Sequence, residues 1–167
     1  MKQHIFLIGF MGSGKSTVAK KLQEVLQIPL IEMDETIEQE QRMPISSIFE
    51  QHGEAFFRDL ETDLLRRICQ SESAVVSCGG GTVIRKENRE LMKAGSIVLL
   101  TAEPQTILNR VRYSRNRPLL EGKKTVEDIR TLMEARKSLY MKAADIMVST
   151  DGKTPEQLTN EIKALLN

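Results

Sequence analysis

The chain has 167 residues, of which 40% are hydrophobic and 28% charged. This composition argues against disorder, and the length suits one domain, since single domains usually run to about 100 to 200 residues. With 24 Lys and Arg against 23 Asp and Glu, the formal net charge is +1, so no global field favours nucleic acid or an anionic membrane as the partner. We therefore predict a single domain over residues 1–167, with no nucleic-acid or membrane partner.

Disulfide-rich, zinc-binding and membrane-spanning proteins are also disfavoured. The two cysteines cannot build a disulfide framework, and the two histidines lie far from them along the chain, which argues against a zinc cluster. The longest apolar run, residues 5–11, is much shorter than the roughly 18 residues of a membrane span. It leads into Gly12-Ser13-Gly14-Lys15 rather than a small-residue cleavage site, so we predict a cytoplasmic protein rather than an exported one.

Short apolar runs alternate with longer segments of helical period, which is typical of parallel α/β units. The predicted strands are residues 4–8, 29–33, 74–78, 96–101 and 145–149. The predicted helices are residues 15–26, 54–69 with shorter turns before it, 86–94, 104–111, 126–143 and 155–166. Because continuous apolar strands suit a sheet that is covered on both faces, we predict a three-layer α/β/α fold.

Two insertions interrupt this alternation. Residues 34–61 are longer and more charged than a plain crossover requires. Residues 112–124 carry several basic residues and are too poor in apolar ones to belong to the core. A long polar loop in a compact domain is typically functional or disordered, and we predict a mobile lid at 112–124.

The segment from Gly9 to Ser16 fits the P-loop pattern G-x-x-x-x-G-K-[ST], for which a purely structural glycine-rich turn is the alternative. Its backbone N–H groups and the positive end of the following helix suit an anionic phosphate. Lys15 is predicted to contact the β- and γ-phosphate oxygens, and the Ser16 hydroxyl to ligate Mg²⁺. The D-x-x-G and N-K-x-D motifs of GTPase switches do not occur, and the middle strand lacks the acidic end of motor ATPases. We therefore predict a small phosphoryl transferase.

Two further features follow predicted strands, where ligands bind in open parallel sheets. In Glu32-Met33-Asp34, the strand period of two places both carboxylates on one side, about 7 Å apart. One is predicted to orient or deprotonate an attacking hydroxyl while the other holds metal-bound water, although Asp34 is alternatively a helix N-cap. Gly79-Gly80-Gly81 either presents backbone N–H groups to a closely approaching substrate or forms a loose turn.

Two arginines differ in what their surroundings indicate. Arg136 falls within the apolar stripe of its predicted helix, where an unpaired charge is costly, so it requires a carboxylate from the protein or from a bound substrate. Arg58 gives no such signal, since Glu54 and Glu61 lie at helix-neighbour spacing and could pair with it on a solvated face.

Taken together, these motifs resemble the shikimate kinase family, P-loop enzymes that transfer the γ-phosphate of ATP to the 3-hydroxyl of shikimate. The likeness spans nearly the whole chain and rests on Gly9 to Thr17, Asp34, Phe56-Phe57-Arg58, Gly79-Gly80-Gly81, Arg117-Pro118-Leu119-Leu120, Arg136 with Tyr140, and Asp151 to Pro155. The resemblance implies a five-stranded parallel sheet in the order 2-3-1-4-5, as in nucleoside monophosphate kinases.

The resemblance also implies roles for individual residues. Shikimate would be held by Asp34, Arg58, Gly80 with its neighbours Gly79 and Gly81, and Arg136, with both arginines on its carboxylate and Asp34 on its hydroxyls as the base. ATP would be held by Gly12, Ser13, Gly14, Lys15, Ser16, Thr17, Arg110, Arg117 and Pro155. Arg117 would close over the phosphates, while Arg110 and Pro155 would flank the adenine. The family's common Asp-x-Asp pattern begins here with Glu32, which is one methylene longer and is predicted to reach Mg²⁺ through water.

Three other functions are weighed against this one. They are a kinase for another acidic polyol such as gluconate, a catalytically silent nucleotide-binding regulatory module, and a nucleic-acid-stimulated ATPase. The near-zero net charge and the aromatic content of 4% weigh against the last. We predict an enzyme that acts as a monomer on ATP and shikimate, with Asp34, Lys15 and Arg117 as its catalytic residues.

Overall fold

The computed structural model describes residues 4–111 and 125–166. Strands and helices alternate through this part of the chain. The elements are β1 (Ile5–Ile8), α1 (Lys15–Leu26), β2 (Leu30–Glu32), α2 (Met33–Gln41), α3 (Ile45–Cys69), β3 (Val75–Ser77), a 3₁₀ turn (Thr82–Ile84), α4 (Lys86–Met92), β4 (Ser96–Thr101), α5 (Pro104–Val111), α6 (Val126–Ala143), β5 (Ile146–Ser149) and α7 (Pro155–Leu166). Within residues 4–111 and 125–166, no helix has both the length and the hydrophobicity of a transmembrane span.

The five strands form one parallel sheet in the order β2-β3-β1-β4-β5. Strand β1 is central, and its Phe6 lies beside Val76 of β3 and Ile97 of β4. The α/β fold class and the strand order implied by the family resemblance are therefore confirmed. Because all five strands run in one direction, their carboxyl ends meet at a single edge of the sheet.

Both faces of the sheet are buried, which explains why the strands are apolar without alternation. Phe6 and Ile8 of β1 belong to one hydrophobic cluster, and Leu7 between them belongs to a second cluster on the opposite face. All three side chains are fully buried, and each contributes on the order of 1.5–3 kcal/mol to folding. The second cluster is completed by α1 and α7, through Val18, Ala19, Leu22, Leu158 and Ile162.

The predicted helices match the observed ones, except that α4 is shorter and that residues 33–41 and 45–52, where only shorter turns were predicted, are also helical. Helix α3 runs from Ile45 to Cys69 but is interrupted at Gly53, so its second stretch agrees with the predicted helix at 54–69. Gly53 itself has φ 86° and ψ 169°, so two helical stretches meet there at a kink. The insertion predicted at 34–61 is therefore α2 followed by the first part of α3. Helix α4 ends at Met92, two residues earlier than predicted.

Two predictions on the organisation of the chain stay predictions. The lid at 112–124 and its Arg117 lie outside the described residues. The single domain over residues 1–167 likewise stays a prediction from the sequence.

The buried His4 makes stability depend on pH. Its side chain is almost entirely buried and packs against the Phe6 ring, with 5.7 Å between the ring centroids. Burial lowers the pKa of His4 below its ordinary value of 6.5, and the backbone of Ser71 opposes this only in part. The folded state thus resists protonation of His4. The contribution of neutral His4 to the free energy of unfolding is therefore fully present above pH 6.5 and is lost as pH falls towards the folded-state pKa.

We expect the melting temperature to fall between pH 8 and pH 5, and to fall less in His4→Phe than in the wild type. Thermal unfolding followed by circular dichroism at a series of pH values measures this. The second histidine, His52, is exposed, and His52→Phe is the matched control that should keep the wild-type dependence. Equal dependence in His4→Phe and the wild type would contradict this role of His4.

Candidate active site

The P-loop lies between the end of β1 and the start of α1. Gly9, Gly12 and Gly14 all have positive φ, of 148°, 81° and 97°, which side chains rarely tolerate. A Cβ on Gly9 would also collide with the carbonyl of Leu100 in β4. This conformation turns the chain sharply into helix α1, whose first residue is Lys15, so the positive helix end faces the loop.

The Lys15 ammonium is buried inside this loop. Its Nζ donates hydrogen bonds to the carbonyls of Gly9 at 2.8 Å and Phe10 at 3.1 Å. Its side chain and those of the neighbouring Ser16 and Thr17 line a cleft of about 720 Å³. The predicted phosphate-binding residues are therefore assembled on one wall of a cavity.

Ser16 and Glu32 meet across this cleft, although for a different local reason than predicted. The Ser16 hydroxyl donates to Glu32 Oε2 at 3.1 Å. Strand β2 ends at Glu32, and Met33 already begins α2, so the strand-period argument for Glu32 and Asp34 is wrong. The N-cap alternative for Asp34 is wrong as well, because Asp34 lies inside the first turn of α2 and Glu32 occupies the cap position. Both carboxylates nonetheless line the cleft.

The turn at Gly79-Gly80-Gly81 is packed against side chains rather than loosely formed. A Cβ on Gly79 would lie 2.8 Å from Asp34 Oδ1 and 2.9 Å from Glu61 Oε2. A Cβ on Gly81 would overlap the guanidinium of Arg58, with its Cζ at 2.6 Å. The absence of side chains here therefore allows two carboxylates and a guanidinium to approach the same turn.

Gly80 connects this turn with the P-loop and with α6. A Cβ at Gly80 would lie 3.3 Å from the backbone N of Met11 and 3.5 Å from Arg136 Nη1. The Gly80 carbonyl accepts a 2.6 Å hydrogen bond from the Tyr140 hydroxyl. Burial raises the pKa of Tyr140, while the positive charge of Arg136 opposes the rise, so this hydroxyl remains a donor at neutral pH.

Arg58 is buried, contrary to the solvated face that its spacing indicated. It has only 6% of its surface exposed, and its Nη1 donates to Glu61 Oε1 at 2.6 Å. Glu54 lies 3.6 Å from its Nε. Burial raises the pKa of Glu61, which is 0% exposed, and the charge of Arg58 works against that rise. The predicted pairing with Glu54 and Glu61 is present, but Arg58 and Glu61 are buried and line the cleft.

Arg136 lines the same cleft from α6, on the other side of the glycine turn. Its guanidinium carbon lies 6.0 Å from the centre of the Phe10 ring. Among residues 4–111 and 125–166, no hydrogen-bond partner is found for its buried Nη1, and no carboxylate lies within ion-pair distance of Arg136. Of the two partners that the sequence left open, the protein carboxylate is therefore not found in the described part of the chain.

On the nucleotide side, Arg110 contacts the P-loop directly. Its Nη1 donates to the Gly12 carbonyl at 2.8 Å, and the side chain lines the cleft. Pro155 begins α7 and is not among the described residues that line the cleft. The loop before it is tied to α5, because Asp151 accepts hydrogen bonds from the Glu103 N–H and the Thr106 hydroxyl.

Several cleft residues were not singled out as site residues from the sequence. Glu61 was noted only as a helix neighbour of Arg58, and its burial had no local signal. Phe49 and Phe57 both line the cleft, and their ring centroids lie 5.1 Å apart. Aromatic residues at helical spacing are more often core than site, so their position required the fold.

The comparisons with known proteins agree with this geometry. The model of the shikimate kinase family matches residues 11–167. The chain belongs to the shikimate kinase family. A shikimate kinase of Sulfurihydrogenibium sp. (strain YO3AOP1) is 44% identical over 161 residues, which cover 96% of this chain and 95% of that protein.

Solved structures show the same likeness. The shikimate kinase from Acinetobacter baumannii in complex with shikimate has a TM-score of 0.94 and is 33% identical, covering 98% of this chain and 92% of that one. The shikimate kinase from Aquifex aeolicus has a TM-score of 0.85 at 40% identity and covers 98% of this chain and 95% of that one. The fold implied by the resemblance and the membership of a kinase family are thus supported independently of any single motif.

Proposed function

We propose that this member of the shikimate kinase family transfers the γ-phosphoryl group of ATP to the 3-hydroxyl of shikimate, a step of aromatic amino acid biosynthesis. The observation that carries the proposal is that one cleft holds a P-loop on one wall and two guanidinium groups on the other. The Arg58 and Arg136 guanidinium groups approach the turn of Gly79, Gly80 and Gly81 from different elements, α3 and α6. The P-loop is in contact with that turn, so two ligands bound there would be neighbours.

The two arginines fit an acceptor that carries a carboxylate. Arginine presents a planar fork of donors that pairs with two carboxylate oxygens, and hydrogen bonds to charged groups contribute roughly 1.5 to 3 kcal/mol each. Arg136 has a buried nitrogen without a hydrogen-bond partner among the described residues, which an acceptor carboxylate would satisfy. A neutral sugar would leave the charge of Arg136 without a carboxylate partner among the described residues.

We propose that Asp34 acts on the hydroxyl that is phosphorylated. Asp34 lies in the first turn of helix α2, just after the end of β2, and is close to Gly79 in the same cleft. In the proposed reaction Asp34 takes the proton of the 3-hydroxyl while the oxygen of that hydroxyl bonds to the γ-phosphorus. The bond from that phosphorus to the β,γ-bridging oxygen breaks, and the electron pair leaves on ADP.

The P-loop residues would hold the nucleotide that supplies this phosphoryl group. The backbone of Gly12, Ser13 and Gly14 and the side chains of Lys15, Ser16 and Thr17 would contact the phosphates. Lys15 now bonds to the carbonyls of its own loop and would exchange these bonds for phosphate oxygens. Arg110 and Pro155 are proposed to flank the adenine, and Arg117, outside the described residues, to close over the phosphates.

The donor atoms next to the P-loop fit Mg²⁺. A hydroxyl oxygen and a carboxylate oxygen, from Ser16 and Glu32, lie together in the cleft, and Mg²⁺ prefers hard oxygen ligands. We propose that Ser16 holds the ion, with Glu32 contributing through water. When bound, Mg²⁺ would neutralise charge on the β- and γ-phosphates.

The assignment is tested by ADP release in a coupled assay with ATP and Mg²⁺. We expect turnover with shikimate in the range of about 1–100 s⁻¹ that is typical of kinases, and less than about one hundredth of it with gluconate. Lys15→Ala is the control for contaminating activity and should be inactive with both.

Two results would contradict the proposal. Preferential turnover of gluconate would indicate a kinase for another acidic polyol, and ATP binding without ADP release on any acidic polyol would indicate a regulatory module. Neither alternative is supported by the family comparison. A monomeric state, a cytoplasmic location and the lack of a nucleic-acid partner stay predictions from the sequence.

A further inference from the structure

Behind the glycine turn, five polar side chains form a hydrogen-bonded network that connects α4 to Arg58. Glu61 accepts from Arg58 Nη1 on its Oε1, at 2.6 Å, and from the Thr82 hydroxyl on its Oε2, at 3.0 Å. Asn88 of α4 donates from Nδ2 to the Thr82 carbonyl at 2.9 Å. The Oδ1 of Asn88 accepts a hydrogen bond from the Thr62 hydroxyl at 2.8 Å. Since Thr62 belongs to α3, the network connects α4 back to the helix that carries Arg58 and Glu61.

The network is shielded from water. Glu61, Thr82 and Asn88 are 0% exposed, and Thr62 is 2% exposed. A buried polar group that loses its partner costs about 1–3 kcal/mol, more when it is charged, so each member strongly favours the arrangement seen. The geometry at Glu61 is therefore fixed in part by Thr82, and through it by Asn88, neither of which is among the described residues that line the cleft.

The fixed geometry limits how Glu61 pairs with Arg58. A carboxylate next to an arginine commonly binds it with both oxygens, taking two of the guanidinium nitrogens. Here only Oε1 bonds to Arg58, and Oε2 bonds to the Thr82 hydroxyl. The guanidinium keeps its remaining donors beside Gly81, in the wall of the cleft.

We infer that Thr82 and Asn88 are positioning residues for the acceptor carboxylate. The Thr82 hydroxyl holds the second oxygen of Glu61 away from Arg58, and Asn88 holds Thr82 through its carbonyl. Part of the Arg58 guanidinium is thereby kept available for an acidic substrate. The inference rests on the proposed function, in which Arg58 binds the carboxylate of shikimate.

Thr82→Val is the direct test, because valine keeps the shape of threonine and replaces the hydroxyl with a methyl group. Freed from Thr82, Glu61 can turn both oxygens onto Arg58 and compete with the substrate. We expect KM and the calorimetric Kd for shikimate to rise about tenfold, while kcat and KM for ATP stay within twofold. Thr82→Ser restores the hydroxyl and should restore the affinity for shikimate.

A double-mutant cycle tests whether Asn88 acts through Thr82. Asn88→Ala should raise KM for shikimate in the wild-type background and add little to it in the Thr82→Val background. Should Asn88→Ala fail to fold, the comparison of valine and serine at position 82 decides the inference alone.

A matched control separates positioning from general loss of stability. Thr159 is also buried and donates its hydroxyl to a backbone carbonyl, that of Pro155, at 2.8 Å. Thr159→Val should lower the melting temperature about as much as Thr82→Val does, and it should leave KM for shikimate unchanged. An unchanged or lower KM for shikimate in Thr82→Val, or an equal loss for ATP and shikimate, would overturn the inference. Failure of the wild type itself to phosphorylate shikimate would instead overturn the proposed function.

Discussion

Replacing Arg136 by alanine should raise KM for shikimate by about 10²- to 10³-fold while ATP binding survives. Removal of a bidentate pair with a carboxylate takes away two charge-assisted hydrogen bonds, each worth roughly 1.5 to 3 kcal/mol, and tenfold in affinity corresponds to about 1.4 kcal/mol. Arg58 would remain and limit the loss. Because Arg136 has no ion-pair partner in the described part of the chain, its removal leaves no protein carboxylate there uncompensated.

Steady-state kinetics with each substrate varied in turn, together with calorimetric binding of shikimate and ATP, measures this effect. Arg136→Lys keeps the charge but loses the planar fork, so it should fall between the wild type and Arg136→Ala. The matched control is Arg130→Ala. Arg130 lies on the same helix, is half exposed and pairs with Glu127 at 2.7 Å. An unchanged KM for shikimate in Arg136→Ala would count against the acceptor assignment.

Asp34→Asn should lower kcat by about 10²- to 10⁴-fold and change the affinity for shikimate by less than about tenfold. Asparagine has nearly the shape of aspartate and keeps one acceptor oxygen, but it cannot take the proton of the attacking hydroxyl. General base catalysis commonly contributes a factor of this size. The contrast with Arg136→Ala is the informative part, because one substitution is expected to act on kcat and the other on KM.

Rapid-quench measurement of the first turnover separates this chemical step from product release. Asp63→Asn is the control for the substitution itself, since Asp63 is an exposed aspartate of α3 that pairs with the surface residue Arg67. Near-normal turnover in Asp34→Asn would reduce Asp34 to an orienting role, and loss of shikimate binding without loss of kcat would do the same.

The roles of Asp34 and Arg58 show where local patterns stop being informative. The sequence placed both carboxylates, Glu32 and Asp34, near the P-loop, but by extending β2 through residue 33. In the structure Met33 already begins α2, and Asp34 reaches the cleft from the first helical turn. The position was predicted correctly for a wrong local reason, because either conformation leaves the carboxyl end of β2 at the same edge of the sheet.

For Arg58, spacing identified the partners and missed the environment. A pattern of Glu54, Arg58 and Glu61 is equally compatible with a solvated surface and with a buried ion pair. What decides between them is the packing of α3 against the 3₁₀ turn and α4, which brings the Thr82 hydroxyl onto Glu61 and Asn88 onto the Thr82 carbonyl. Neither of those residues carries a pattern of its own in the sequence.

The sequence by itself determined the features that depend on neighbours along the chain. These are the alternation of strands and helices, the P-loop, and the apolar strands that require helices on both faces of the sheet. Only the tertiary structure decided which side chains share the cleft, that Arg58 and Glu61 are buried, and that a protein carboxylate is not the partner of Arg136 within the described residues. The physical reason is that secondary structure follows from periodicity over a few residues, whereas burial and charge pairing depend on contacts between segments that are distant in the chain.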